Sequence, residues 1–283
     1  MMDLTLLVDN STLIDRYLTA EPGLSILIED EDVTVLFDLG YSDLFLKNAG
    51  KLGKDLSSLD FLVLSHSHLD HTWGLDPFIR YLTERTIEAL EIKHPKLVAH
   101  PEVFSSVRVG PLAEIGCLVA KEKAERHMEL ILAKTPVNLS ARLVFLGEIP
   151  RNNTFEGQTP IGMKQTSDGL VPDLIPDDSA LAYKSDRGLV IITGCSHAGI
   201  CNIVSHAQQV CGDERIADII GGFHLLNPST AQMTGTLDYF RHIKPLAIHA
   251  CHCTDLDSKV ALAGVAPLKE AGVGLSLHFD SMT

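Results

Sequence analysis

Ser65-His66-Ser67-His68-Leu69-Asp70-His71 puts three imidazoles and a carboxylate into six consecutive positions, in a chain with 13 histidines among 283 residues. Imidazole and carboxylate suit Zn(II), Fe(II) or Mn(II) without help from thiolates. The stretch follows the apolar run Phe61-Leu62-Val63-Leu64. A strand therefore delivers the chain to a sheet edge, and a turn lets His66 and His68 converge on one ion. Asp70 and His71 are neighbours and would face opposite ways in an extended strand. They can serve a second ion only where the backbone bends. Donors at this density read as a metal site.

Three later apolar segments each lead to further histidines. Residues 189–193 run into Gly194-Cys195-Ser196-His197, residues 216–220 into Gly221-Gly222-Phe223-His224, and residues 246–248 into His249-Ala250-Cys251-His252-Cys253-Thr254. Sites in α/β folds collect where strand ends meet the loops that follow. His197 is flanked by Gly194, Ser196, Ala198 and Gly199, small residues that let backbone come close to a ligand. His197, His224 and His252 are thus the candidates to complete what the first cluster leaves open.

The elements that must position these residues follow from periodicity and punctuation. Strands are expected at 4–8, 24–28, 33–37, 61–64, 96–100 and 143–146, and a helix at 42–51. Asp76 and Pro77 read as the cap and first position of a helix reaching residue 90. A charged amphipathic run at 121–134 reads as another helix. Beyond residue 180 the spacing gives helices near 200–210, 229–241 and 257–271, and a closing strand at 274–279. Alternating helices and strands indicate α/β layering in one domain over 1–283. Residues 101–179, rich in Pro, Gly and polar side chains, read as an irregular insertion or lid over the site.

Composition narrows the function. A formal charge of −14 argues against a broad nucleic-acid surface but leaves room for a small anionic substrate. No apolar run is long enough for a membrane span, and Met1-Met2-Asp3-Leu4-Thr5 does not open as a signal peptide. The six cysteines show no disulfide-framework spacing, so a reducing cytoplasm is expected. The oligomeric state stays open, a homo-oligomer included. Arg108 and Arg151 fall in the middle segment and are candidate anion clamps if it folds over the site, against ordinary surface roles.

The pattern H-x-H-x-D-H after an apolar strand resembles the metallo-β-lactamase superfamily. That resemblance implies a four-layer αββα sandwich with two divalent ions, zinc first and iron or manganese next, between the sheet edges. Asp38 in Asp38-Leu39-Gly40 resembles the residue that abuts and orients the histidine cluster, where composition alone would equally give a plain strand-ending turn. The segments Thr-Gly-Cys-Ser-His-Ala-Gly-Ile, Gly-Gly-Phe-His-Leu and His-Cys-Thr, with residues 147–156, resemble one branch of the superfamily. Its members are called 7,8-dihydropterin-6-yl-methyl-4-(β-D-ribofuranosyl)aminobenzene 5′-phosphate synthases or simply metal-dependent hydrolases.

By that resemblance His66, His68 and His197 hold one ion, and Asp70, His71 and His252 the other. Asp70 also orients the nucleophile, and His224 is a ligand or a proton donor. The sequence departs from better-known members in two ways. Between the first cluster and His197 only His94, His100 and His127 occur, none in a glycine-rich turn. The bridging aspartate position is Cys195, which could bridge as thiolate, stand behind the ligands or only pack. The implied activity is metal-dependent hydrolysis of a small anionic substrate, such as a phosphate ester or diester, by a metal-activated water. One alternative is a pterin-pathway synthase or transferase, with Trp73, Phe155 and Phe223 as stacking candidates. Another is a non-catalytic metal-binding or redox-sensing protein, for which Cys195 is the motive.

Overall fold

The computed structural model describes residues 1–280. The chain begins with β1 (Met2–Val8), β2 (Ser25–Asp30) and β3 (Thr34–Phe37), then α1 (Leu44–Leu52) and β4 (Phe61–Val63). The one-turn α2 (Leu69–Thr72), α3 (Leu75–Ile87) and β5 (Lys96–Ala99) follow. The middle holds β6 (Val107–Arg108), α4 (Lys121–Ala124), β7 (Glu129–Leu132), β8 (Val137–Asn138) and β9 (Leu143–Phe145). Next come β10 (Met163–Thr166), β11 (Gly169–Pro172), β12 (Ala180–Ser185) and β13 (Gly188–Thr193). The last part alternates α5 (Ile200–Cys211), β14 (Ile216–Gly222), α6 (Thr230–Ile243), β15 (Ile248–Cys251), α7 (Leu256–Ala263) and β16 (Ser276–Phe279).

Two large mixed sheets form, ordered β16-β1-β2-β3-β4-β5-β7 and β15-β14-β13-β12-β9-β8. The period-two side-chain alternation of their strands builds the layers. Leu4, Leu6, Ile26, Phe37, Val63 and Val98 of the first sheet meet Phe145, Leu181, Tyr183, Val190, Ile192 and Ile220 of the second in one core between the sheets. The alternate residues Leu7, Leu27, Leu36, Leu62 and Leu97 face the other way and pack with Phe45 of α1 and Phe78 and Leu82 of α3. On the outer face of the second sheet, Ala182, Leu189, Ile191 and Ile219 pack with Ile203 and Val204 of α5, Phe240 of α6 and Leu262 of α7. The result is helix, sheet, sheet, helix. Each fully buried Leu, Ile or Val contributes roughly 1.5–3 kcal/mol of transfer free energy, so strands buried on both faces hold the sandwich together.

Several sequence expectations shift at this level. The helix expected at 121–134 stops at Ala124, and Glu129–Leu132 pairs parallel with β5 instead. There Leu130 and Leu132 face one core and Ile131 the other, so a place on the sheet edge prevails over local helical spacing. Asp76 is not the cap of α3: Gly74 occupies that position, and Asp76 ion-pairs Arg80 at 2.8 Å within the first turns. The helix from 257 ends at Ala263. Pro267 lies beyond it and cannot continue a helix; its carbonyl accepts from Ile248. Residues 101–179 are not one insertion, because β7, β8 and β9 belong to the two large sheets. A separate sheet, β11-β10-β6, takes up part of the remainder.

Candidate metal centre

The parallel strands β3 and β4 end side by side and deliver the first half of the site. Asp38 leaves β3 with φ of +58° and is fully buried. Its Oδ1 accepts from the Ser65 backbone N–H at 2.7 Å, and its Oδ2 from Ser65 Oγ at 2.7 Å. The same Oδ2 takes His71 Nδ1 at 2.6 Å. Carboxylate oxygens accept, so His71 carries its proton on Nδ1 and turns Nε2 into the site. Ser65 Oγ, having donated its proton to Asp38, accepts from His66 Nδ1 at 2.9 Å. His66 Nε2 is therefore also a free lone pair. The bend that Asp70 and His71 require is α2, a single turn with His68 at its cap position.

The second half comes from the ends of β13, β14 and β15. A Cβ on Gly194 would lie 2.2 Å from Ser65 Oγ, so only glycine lets the β13 end meet the first cluster this closely. Beyond it Ser196, His224 and His252 all have positive φ, of +63°, +48° and +50°. With Asp38 they are four of the nine non-glycine residues in that region among those described. Each costs about 1–3 kcal/mol, and such strain persists where surrounding contacts over-determine it. His252 is fixed by two contacts: its N–H donates to Asp9 Oδ1 at 2.8 Å and its Nδ1 to Asn10 Oδ1 at 3.0 Å. Its Nε2 faces inward, 3.2 Å from His71 Nε2 and 3.3 Å from Asp70 Oδ2.

The donors form two groups. The rings of His66, His68 and His197 sit in a triangle with all three centroid separations at 4.7 Å. Nε2 of each, and Nδ1 of His197, is buried and finds no hydrogen-bond partner. Buried polar atoms without partners are rare and expensive in folded proteins. Asp70, His71 and His252 form the other group, with Cys195 Sγ 3.2 Å from His71 Nε2. Cys195 is also within ligand range of His66 and His197, so its sulfur lies between the two groups.

Burial, then the neighbouring imidazoles, depresses the His66 and His197 pKa well below the ordinary value, and burial brings His68 to about 4. These three are neutral donors at pH 7. Burial also opposes charge on His71, but Asp38 and Asp70 override it and raise its pKa to about 9. Asp70 resists its own desolvation because His71 and His252 hold it well below the usual carboxylate range. The second group thus favours positive charge.

Two residues passed over in the sequence brace the site, Asp177 from across the two halves and Asp178 within the second. Asp177 Oδ2 accepts from Ser67 N–H at 2.7 Å, between His66 and His68, while Asp178 Oδ2 accepts from Ala198 N–H at 2.8 Å, beside His197. Burial, with Asp173 adding to it, raises Asp177 to about 7, and burial raises Asp178 to about 6. An acid with a folded pKa above its unfolded value binds extra proton when folded. Its stabilising contribution is complete below the ordinary value of 3.8 and is lost as pH rises through about 7 for Asp177 and about 6 for Asp178. Denaturant unfolding of Asp177→Asn beside the unmodified chain checks this. The stability difference should change steadily in favour of the variant from about pH 4 to 7 and stay level above; a difference independent of pH would contradict it. Asp9 and Asn10, which end β1 as Asp38 ends β3, were the other residues missed. A polar pair closing an apolar strand was the available signal.

A cleft of about 430 Å3 opens on the site, lined by His197 and His224 with Phe155, Gln158, Thr159 and Gln232 among others. The His224 ring lies 4.3 Å from His197, its Nδ1 lacks a partner, and its N–H donates to Cys253 Sγ at 3.3 Å. Neither arginine expected as an anion clamp lines this cleft. Arg151 donates to the carbonyls of Gly157, Leu174 and Ile175, so its guanidinium braces the loop. Arg108 is exposed on β6, where it pairs with Met163. Of the three stacking candidates Phe155 is at the cleft, Phe223 is buried in the outer core, and Trp73 lines a different cavity. His249 lies inside β15 and pairs with Asp218 at 3.0 Å.

The metallo-beta-lactamase superfamily model matches residues 18–206. The chain is 30% identical over 248 residues to the 7,8-dihydropterin-6-methyl-4-(beta-D-ribofuranosyl)-aminobenzene-5′-phosphate synthase of Methanocaldococcus jannaschii, covering 83% of this chain and 81% of that one. The crystal structure of Tm1679, a metal-dependent hydrolase of the beta-lactamase superfamily, is similar with TM-score 0.81 and 26% identity, over 98% of this chain and 99% of the other. A diphosphatase of the PhnP family shares the fold at TM-score 0.51 and 16% identity, over 99% and 98% of the two chains. Sheet order, the facing strand ends and these matches agree: the chain belongs to the metallo-β-lactamase superfamily.

Proposed function

We propose that this protein is a metal-dependent hydrolase of a small anionic ester, a phosphate monoester or diester. The observation that carries the proposal is the set of buried, unpartnered nitrogens on His66, His68 and His197, whose rings lie together, with those of His66 and His197 within reach of the Cys195 sulfur. Buried neutral imidazoles, with His66 oriented by the Ser65 hydroxyl on its other nitrogen, are a donor set for Zn(II), with Fe(II) or Mn(II) as the next fits. His66, His68 and His197 would hold one ion and Asp70, His71 and His252 a second, with the Cys195 sulfur lying between the two groups. Divalent ions held there would supply Lewis acidity and water activation near neutral pH.

The chain's own groups do the rest. Asp70, a quarter exposed in its side chain and 3.3 Å from His252, is the carboxylate that would orient a water proton. His224 faces the cleft and is the proton donor to the leaving oxygen. Burial opposes its charge, but Cys253 outweighs this and raises its pKa above the ordinary value. Phe155, Gln158 and Gln232 give the organic part of the substrate a flat apolar surface and neutral hydrogen-bonding groups.

The test is turnover of a panel of phosphate monoesters and diesters by protein loaded in turn with zinc, iron or manganese. Hydrolysis should follow metal content and should fall at least about 100-fold in His68→Ala, because even partners of ligands cost 10–100-fold when removed. Unchanged turnover in that variant would end the hydrolase reading. A synthase reading draws on the M. jannaschii relative and on Phe155 at the cleft. Saturable binding of a reduced pterin with no ester turnover would favour it. Stoichiometric metal with neither result would leave a binding or redox role.

A further inference from the structure

We propose a second ligand site, outside the metal centre, that takes a planar heteroaromatic anion such as a purine nucleotide. It is a cleft of about 650 Å3 between α3 and the segment from Leu118 to His127. Its aromatic wall is the stacked pair Tyr41 and Trp73, with ring centroids 5.1 Å apart and planes inclined by 29°. A hydrogen bond of 2.8 Å from Trp73 Nε1 to the Gly116 carbonyl holds the indole in place. Tyr41 and Leu118 are exposed by 44% and 58%, so apolar surface is left open to water here. A flat ring could cover it.

The same cleft also supplies charge. Lys123 and Arg126 line the same cleft, and neither side chain has a hydrogen bond or ion pair among the described residues. That is notable in a chain with 37 acidic and 23 basic side chains. Neighbouring Lys121 is paired with Glu125, and Asp76, also on the rim, with Arg80. Two uncompensated cations lining one cleft with an aromatic pair make a surface for a ring with an anionic group attached, since a guanidinium and an ammonium both favour phosphate oxygens. An uncharged aromatic would use only the rings, and a bare phosphate only the cations.

Trp73 is the sole tryptophan of the chain, so the site carries its own reporter. The experiment is a fluorescence titration of the metal-loaded, full-length protein with guanosine 5′-monophosphate, beside ribose 5-phosphate. It is repeated on the double variant Lys123→Gln, Arg126→Gln, whose exposed substitutions leave the core untouched. Saturable quenching by the nucleotide, little response to the sugar phosphate, and at least about tenfold weaker binding in the double variant are expected. Two results would overturn the proposal: no saturable quenching, or quenching unaltered by the double substitution, which would put the nucleotide at the metals. Ester turnover by the double variant remains intact in either case, so the outcome does not depend on the hydrolase reading.

Discussion

His197→Ala should lower the metal content from about two ions per chain to about one, with ester turnover falling at least about 100-fold. The imidazole is buried, and neither of its nitrogens makes a hydrogen bond. Its removal orphans no partner. A stability loss in the metal-free protein should therefore be small, or even reversed by deleting an unsatisfied buried group. The metal-loaded protein behaves differently. Any ion that binds only the folded chain stabilises it by mass action, and that stabilisation is what the variant forfeits. Elemental analysis and thermal unfolding with and without a chelator separate the two effects. An unchanged metal count would place the third ligand of the first position elsewhere. An equal loss of stability with and without metal would make His197 a packing residue.

The first cluster was legible because donors and element coincide in one heptapeptide, and α2 supplies the bend that Asp70 and His71 need. His197 and His252 were legible as strand-end histidines beside small residues. What the sequence concealed has a common physical character. Asp177 and Asp178 lie 110 and 20 positions from the backbone amides they accept from. Asp9 reaches His252 across 243 positions. The Asp177 and Asp9 contacts exist only after two sheets close on each other, the Asp178 contact only once β12 and β13 pair, and no local period announces them. The middle of the chain was opaque for a related reason. Its strands are two to four residues long, too short to establish alternation, and β7 is a strand because β5 offers it an edge. The arginines misled because charge was legible and partners were not: Arg151 is held by three backbone carbonyls that no sequence pattern displays.

Asp38 is the residue where fold and site are hardest to separate, and two substitutions divide its roles. Its carboxylate accepts three hydrogen bonds, from the Ser65 backbone, the Ser65 hydroxyl and His71, while its backbone occupies the left-handed region at φ of +58°. Asp38→Ala removes every acceptor and adds a strain of about 1–2 kcal/mol. With about 1–3 kcal/mol for each buried donor left unpaired, a loss of several kcal/mol is expected. Asp38→Asn tolerates the backbone and keeps one acceptor. It nevertheless points an amide N–H at Ser65 Oγ and His71 Nδ1, and it removes the negative charge beside His71. Metal affinity should fall about 10–100-fold in a protein that still folds. A pH signature goes with it. In the metal-free protein His71 has its pKa raised from 6.5 to about 9, so its stabilising contribution is complete below 6.5 and lost as pH rises through about 9. In Asp38→Asn that decline between roughly pH 6.5 and 9 should flatten, because the charge that holds the proton on His71 is gone. Denaturant unfolding of both metal-free proteins across this range decides it: parallel curves would show that Asp38 shapes the turn without setting the state of His71.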